Sequence, residues 1–460
     1  MYQNIPIQAT LRIIRTKSEV NFQFSTRILE VQFRNYRFDD INDIIVLQTD
    51  PSTITVITGP RQCGKTTIMK ILENELNARG KKTLFMNLDV EEDMAHFSSQ
   101  NGLLRKIELE IGSEGYVFID EIQRKENAGR FLKGIYDMNR PYKFIVSGSG
   151  SIELKGDLQE SLAGRKRIFE VSTISFEEFV NYKTDYRYEG KLKHFFEIEK
   201  AKTHSLLEEY LNFGGYSRVI LEQESKEKRE IIREIYQSYI ERDITYLLHI
   251  ARPEQFSLLV KVLSLLDGKI LNLSNLSSEV GISIKTVKQY LWYLEKTCII
   301  DKVSPFSTNP AKELTKAPIC YFKDIGLRNY AAGEFGNISD YGFAFQNFIY
   351  LQLSELAKRY DFSIHFWRTK DRAEVDFILQ KGRQIIPIEV KYKNINTFEI
   401  TKSMRNFIER YNPEAAAVIN ISSFHEESIA NTKTSLLPFY KLRTFVEEKF
   451  SSQTNNDTLK

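Results

Sequence analysis

Cysteine is scarce here: three residues, Cys63, Cys298 and Cys320, in a chain of 460. They are too few and too scattered for a disulfide framework or a four-ligand zinc site, so a reducing interior is expected. No run of eighteen apolar residues occurs, which argues against a membrane-spanning helix. The start Met1-Tyr2-Gln3-Asn4 lacks the basic-then-apolar pattern of a secretory leader, and a soluble cytoplasmic protein with no membrane partner is expected. An excess of one charge sign is missing as well. With 64 basic and 61 acidic side chains and a net charge of +3, the chain has no overall nucleic-acid footprint. Any such surface has to be a local patch. Hydrophobic residues make up 42% against 27% charged, which excludes general disorder. The length is enough for about three domains.

What is present is concentrated in one stretch. Ile54-Thr55-Val56-Ile57-Thr58 reads as a short buried strand, followed by Gly59-Pro60-Arg61-Gln62-Cys63-Gly64-Lys65-Thr66-Thr67 and then a helix opening at Thr66. A parallel strand delivers the chain to a loop whose glycines let backbone N–H groups turn inward. The helix adds its own unpaired N–H groups and its positive dipole end. Such a nest suits a polyphosphate, with Lys65 reaching the β- and γ-phosphates and Thr66 offering a hydroxyl to Mg²⁺. Cys63 is a bystander in this loop. The expected ligands are ATP and Mg²⁺.

Downstream, Ile68, Met69, Ile71, Leu72 and Leu76 form one helical stripe ending near Gly80. Strand patterns follow at 83–89, 116–121 and 143–148. Strands alternating with helical stretches predict a parallel sheet covered on both faces. Ligands bind at the carboxyl ends of such strands. Those ends carry Lys65 and Thr66, Asp120 and Glu121, and Ser147. Four apolar residues ending in Asp-Glu predict that Asp120 holds Mg²⁺ through water and that Glu121 orients the attacking water. The bland alternative is a strand ending in solvated acids. Ser147 is expected beside the γ-phosphate, unless it belongs to a plain Ser-Gly turn. The basic cluster Gly164-Arg165-Lys166-Arg167 offers Arg165 as the cation for the transferring phosphate, unless it is a solvated face.

These motifs, with Glu160-Ser161-Leu162-Ala163-Gly164-Arg165, Phe213-Gly214-Gly215-Tyr216, Tyr239-Ile240-Glu241-Arg242-Asp243-Ile244 and Tyr321-Phe322-Lys323-Asp324-Ile325-Gly326-Leu327, carry a family resemblance. The chain resembles the AAA+-superfamily ATPases of bacteria and archaea that have a C-terminal domain of unknown function. The likeness spans roughly residues 50 to 395. Ser217 stands where that family usually has proline. The resemblance implies an ATPase whose site an arginine from a neighbouring subunit often completes, and hence an oligomer.

Further along, a short helix, a turn at Gly281, Ser283 as N-cap and a second apolar-periodic helix predict a winged helix-turn-helix. Ser283, Lys285, Thr286, Lys288 and Gln289 would face DNA. Alternatively the unit is a lid or packing module, with a protein as partner. Two alternating strands then carry Asp376 and, on one strand face, Glu389 and Lys391. That is the PD-(D/E)XK nuclease arrangement, in which Asp376 and Glu389 would bind Mg²⁺ and Lys391 would activate water. The family's C-terminal domain resembles this nuclease fold. Gln346 stands where the family tends to carry a glutamate, which removes a negative ligand and favours a catalytically silent scaffold.

The expectation is therefore an α/β chain. A lead-in spans 1–48, a P-loop ATPase domain 49–185 and a helical lid 186–268. A winged helix-turn-helix at 269–318 and a nuclease-like domain at 319–448 follow, with a disordered tail at 449–460. Three readings of the activity compete: an ATPase driving its C-terminal half, a nucleotide-gated binding switch, and an ATP-dependent DNA nuclease.

Overall fold

The computed structural model describes residues 53–149, 162–244, 250, 252–307, 317–369, 371, 373–395 and 398–451. The expected lead-in at 1–48 lies outside the described residues, as does most of the expected tail.

Five strands form the first sheet in the order β2-β3-β4-β1-β5. They are β1 (Ile54–Gly59), β2 (Thr83–Asn87), β3 (Gly115–Asp120), β4 (Tyr142–Ser149) and β5 (Lys166–Glu170), and every pairing is parallel. Alternation along the strands divides the core. Ile54, Val56, Val117, Ile119 and Val146 pack to one side with helices α2 (Gln100–Ile111) and α3 (Ala128–Asp137). Ile57, Phe118 and Ile145 pack to the other with α1 (Lys65–Ala78), whose buried stripe is Ile68, Met69, Ile71, Leu72 and Leu76. A sheet apolar on both faces has to be covered on both, and parallel strands then bring all their carboxyl ends to one edge. That edge positions the site.

A helical stretch follows: α4 (Lys200–Phe213), α5 (Ser217–Leu221), α6 (Ser225–Tyr236) and α7 (Pro253–Leu265). Next come α8 (Leu273–Val280) and α9 (Ile284–Lys296), joined through Gly281 at φ 71°. Ser283 caps α9 by accepting the Thr286 N–H at 3.1 Å. Strands β6 (Ile300–Pro305) and β7 (Ile319–Phe322) pair antiparallel. The expected domain boundary between residues 318 and 319 therefore falls between two paired strands.

β6 also pairs parallel with β8 (Ser363–Arg368), which joins that hairpin to the C-terminal sheet. The remaining strands are β9 (Glu374–Lys381), β10 (Gln384–Val390), β11 (Ala415–Asn420), β12 (His425–Ile429) and β13 (Thr432–Pro438), in the order β12-β13-β11-β10-β9-β8-β6-β7. Helices α10 (Ile325–Ala332), α11 (Tyr341–Tyr360), α12 (Lys402–Tyr411) and α13 (Leu442–Phe450) complete the C-terminal half. α13 runs two residues past the expected end at 448. Leu207 and Leu211 of α4 share a core with Phe345 and Phe348 of α11 and Ile388 of β10, so the lid-like helices and the C-terminal sheet are packed together.

Two of the sequence motifs meet in this packing. A Cβ on Gly326 would lie 2.1 Å from the Phe213 carbonyl oxygen, and one on Gly214 would lie 2.4 Å from the Gly326 nitrogen. Asp324 accepts the Gly215 N–H at 2.9 Å. Glycine at both places permits the crossing. Among the described residues no helix is long and apolar enough to cross a membrane.

Candidate functional site

β1 ends at Gly59, where the chain passes so close to the segment after β5 that a Cβ would sit 2.2 Å from the Val171 carbonyl oxygen. The loop then carries Pro60, Arg61, Gln62 at φ 59°, Cys63 and Gly64 at φ 101° before α1 begins. Cys63 is buried, and burial pushes its thiol up from the usual range, in keeping with a packing role. Lys65 is only 5% exposed. Its ammonium donates to the carbonyls of Gly59 at 3.3 Å and Pro60 at 2.7 Å. Those bonds hold a buried cation over the mouth of the loop, where an anion would be attracted. Thr66 stays exposed and Thr67 half-buried on the first turn.

β3 lies two strands from β1 in the parallel sheet and ends on the same edge. Its last residue, Asp120, is 1% exposed. Thr66 Oγ1 donates to Asp120 Oδ2 at 2.6 Å, tying the loop to the strand end. On the other oxygen, Asp120 accepts Ser147 Oγ from β4 and the Glu121 N–H at 3.2 Å. Ser147 is fully buried and its hydroxyl orients this carboxylate. Glu121 has left-handed backbone at φ 54°, and its Oε2 accepts the Gln123 amide.

Arg165 does not join this cluster. Its carbonyl accepts the Ile54 N–H at 2.8 Å, at the start of β1, and its guanidinium lies 3.7 Å from Asp137 and 5.5 Å from the Tyr136 ring centre. Roughly 17 Å of strand separates it from the loop of its own chain. A cation that sequence reasoning missed is nearer. Arg218, at the start of α5, donates to Gln62 Oε1 at 3.0 Å and pairs with Glu234 at 3.0 Å. The only signal for it was its place just after the Gly-Gly-Tyr turn.

A hydroxyl and a carboxylate 2.6 Å apart at the mouth of the loop are hard oxygen donors of the kind Mg²⁺ takes. Mg²⁺ needs few protein ligands when phosphates and water supply the rest. Among the described residues no three His, Cys, Asp or Glu side chains converge on a metal site.

The second group of expected residues lies in the C-terminal sheet. The register that pairs Phe377 with Ile388 puts Asp376 across from Glu389. Asp376 accepts the Gln346 amide at 3.0 Å and the Val390 N–H at 2.7 Å, and burial pushes its carboxyl up to about 7. Glu389 is 3% exposed and also raised by burial. One of its oxygens accepts Thr401 Oγ1, and the other has no partner among the described residues. Lys391 follows at the strand end and lines an open groove of about 590 Å³ with Gln346, Tyr341 and Tyr392. The half-buried Asp376 is thus already held by two N–H donors, and the buried Glu389 by one hydroxyl.

Comparison with known proteins finds matches along most of the described chain. Residues 51–180 match a family described as an AAA domain. Residues 204–337 and 341–442 match two families described as domains of unknown function, DUF8612 and DUF4143. An uncharacterized protein of Methanocaldococcus jannaschii is 26% identical over 345 residues, covering 74% of this chain and 75% of its own. One from Mycobacterium tuberculosis is 24% identical over 361 residues, covering 77% and 73%. Among solved structures, AMPPCP-bound DnaA from Aquifex aeolicus aligns at 14% identity with a TM-score of 0.25, over 57% of this chain and 88% of its own. Cdc6p from Pyrobaculum aerophilum aligns at 10% identity with a TM-score of 0.26, over 71% and 97%. The family match over residues 51–180 falls on the first sheet, whose five strands are all parallel.

Proposed function

We propose that this chain binds ATP with Mg²⁺, hydrolyses it, and uses the cycle to reposition its C-terminal half. The observation that carries the reading is the Thr66–Asp120–Ser147 hydrogen-bond chain across the strand ends, beside the buried Lys65. Lys65 and the loop amides from Gly59 to Thr67 would hold the phosphates. Thr66 and Asp120 would hold the metal, which when bound neutralises charge on the β- and γ-phosphates. Glu121 would orient the attacking water and take up its proton. Arg218 would turn from Gln62 toward the phosphate charge. The test is ATP turnover by the purified full chain. Glu121→Gln should lose about 10²-fold or more of kcat while still binding a fluorescent ATP analogue. Unchanged turnover would sink the mechanism.

A second reading concerns the C-terminal sheet. The Gln346 amide donates to Asp376 where a metal ligand would have to be free, which favours a nuclease-like scaffold that does not cut. The gated-binding alternative and an oligomeric assembly remain compatible with that scaffold. Mg²⁺-dependent cleavage of DNA or RNA, abolished by Asp376→Ala and Lys391→Ala, would instead restore the nuclease reading.

A further inference from the structure

A carboxylate that has to aim one water at one phosphorus cannot be left to swing. Glu121 leaves the sheet edge on left-handed backbone at φ 54°, a conformation that turns the chain sharply after Asp120. The next three residues, Ile122–Arg124, make a single 3₁₀ turn. The Arg124 N–H donates to the Glu121 carbonyl at 2.9 Å and closes it. Ile122 is fully buried in the sheet's core and pins the turn. The fold-back places the side chain of Gln123, itself only 6% exposed, against Glu121, with Nε2 donating to Glu121 Oε2.

The chemistry of that donor matters. A lysine or arginine at 123 would also hold the carboxylate, but its charge would lower the basicity that water activation needs. A neutral amide fixes one oxygen and leaves the other with its lone pairs.

We propose that Gln123 is a positioning residue for Glu121: it fixes the rotamer of the water-orienting carboxylate and takes no part in binding nucleotide. This rests on the reading of Glu121 given above. The expected signature is a split between kinetic constants, because lost orientation slows the chemical step and leaves nucleotide binding alone.

The experiment compares the full chain with Gln123→Met, which keeps the side-chain volume without a donor, and with Gln123→Ala. ATP turnover, affinity for a fluorescent ATP analogue and the thermal midpoint are measured for each. Both variants should lose about 10- to 100-fold in kcat with KM and analogue affinity within about 2-fold. In the Glu121→Gln background, Gln123→Met should change the residual turnover by less than about 2-fold, since the residue it positions is already disabled. Wild-type kcat in both Gln123 variants overturns the proposal, and so does an equal loss in both backgrounds. A matched fall in analogue affinity and thermal midpoint would assign Gln123 to the fold and overturn it too. Failure of the broader reading looks different, because Glu121→Gln would then itself turn over ATP normally.

Discussion

Asp267 shows what a single buried carboxyl imposes on this fold. It is 1% exposed, and its Oδ1 accepts the Phe322 N–H at 3.2 Å, joining the end of α7 to β7. Oδ2 has no hydrogen-bond partner among the described residues. Burial pushes the carboxyl from 3.8 up to about 7, against the opposing pull of Arg328 and the Phe322 N–H. A folded-state pKa above the unfolded one means that the folded chain holds the proton more tightly. The stability this contributes is complete below about pH 4 and is lost as pH rises toward 7. Asp267→Asn keeps an acceptor for Phe322 and removes the titration. Its urea midpoint should therefore fall less than the wild type's between pH 5 and pH 8. Identical pH profiles would rule out Asp267 as a source of the slope.

Short elements are where sequence and structure agree most closely, because their determinants are local. The α1 stripe, the strand end at Asp120, and the Ser283 cap all depend on neighbours within a few residues. Arg165 lies at the far end of β1 from the loop of its own chain; a basic cluster carries no information about which end of a sheet it occupies. For Ser147 the sequence left its partner open: a hydroxyl near the end of a strand can face a ligand or the neighbouring strand, and here it is buried against Asp120. Gln123 and Arg218 were illegible since their partners are set by a turn and by a distant helix.

The α8–α9 unit makes its own prediction. Lys285, Lys288 and Gln289 are exposed on the first turns of α9, as a DNA reading requires. Replacing both lysines by alanine should weaken duplex binding across sequences and reduce the salt dependence by about two charges. Fluorescence anisotropy at two salt concentrations measures this. If the wild type shows no binding even at low salt, the face with exposed Ile284 and Trp292 belongs to a protein contact instead.

At the scale of the whole molecule, the question is how an event at the phosphate loop would reach a sheet built mostly from residues after 300. Glu170 offers the link. It ends β5 in register with Thr58, and the next residue, Val171, donates its N–H to the Thr58 carbonyl at 2.7 Å. Its carboxylate accepts Lys323 at 2.7 Å, just past β7, and Lys358 at 3.0 Å, near the end of α11. Burial alone would lower the Lys323 pKa, but the Asp301 and Glu170 carboxylates overturn that and hold the ammonium charged above its usual range. A cavity of about 180 Å³ touches Pro60 of the loop as well as Glu170, Lys323 and Lys358. One side chain thus joins the strand beside the phosphate loop to two elements of the C-terminal half. Half-exposed ion pairs are worth only about 1 kcal/mol each, so the fold should survive Glu170→Gln. Coupling of that size still corresponds to about a 5-fold effect between sites. Hydrogen exchange in residues 341–360, with and without a non-hydrolysable ATP analogue, reads it directly. The wild type should show a nucleotide-dependent change there, and Glu170→Gln should lose at least half of it while analogue affinity moves by less than about 3-fold. A full-sized change in the variant would mean that the signal passes through the shared core of α4 and α11, not through this carboxylate.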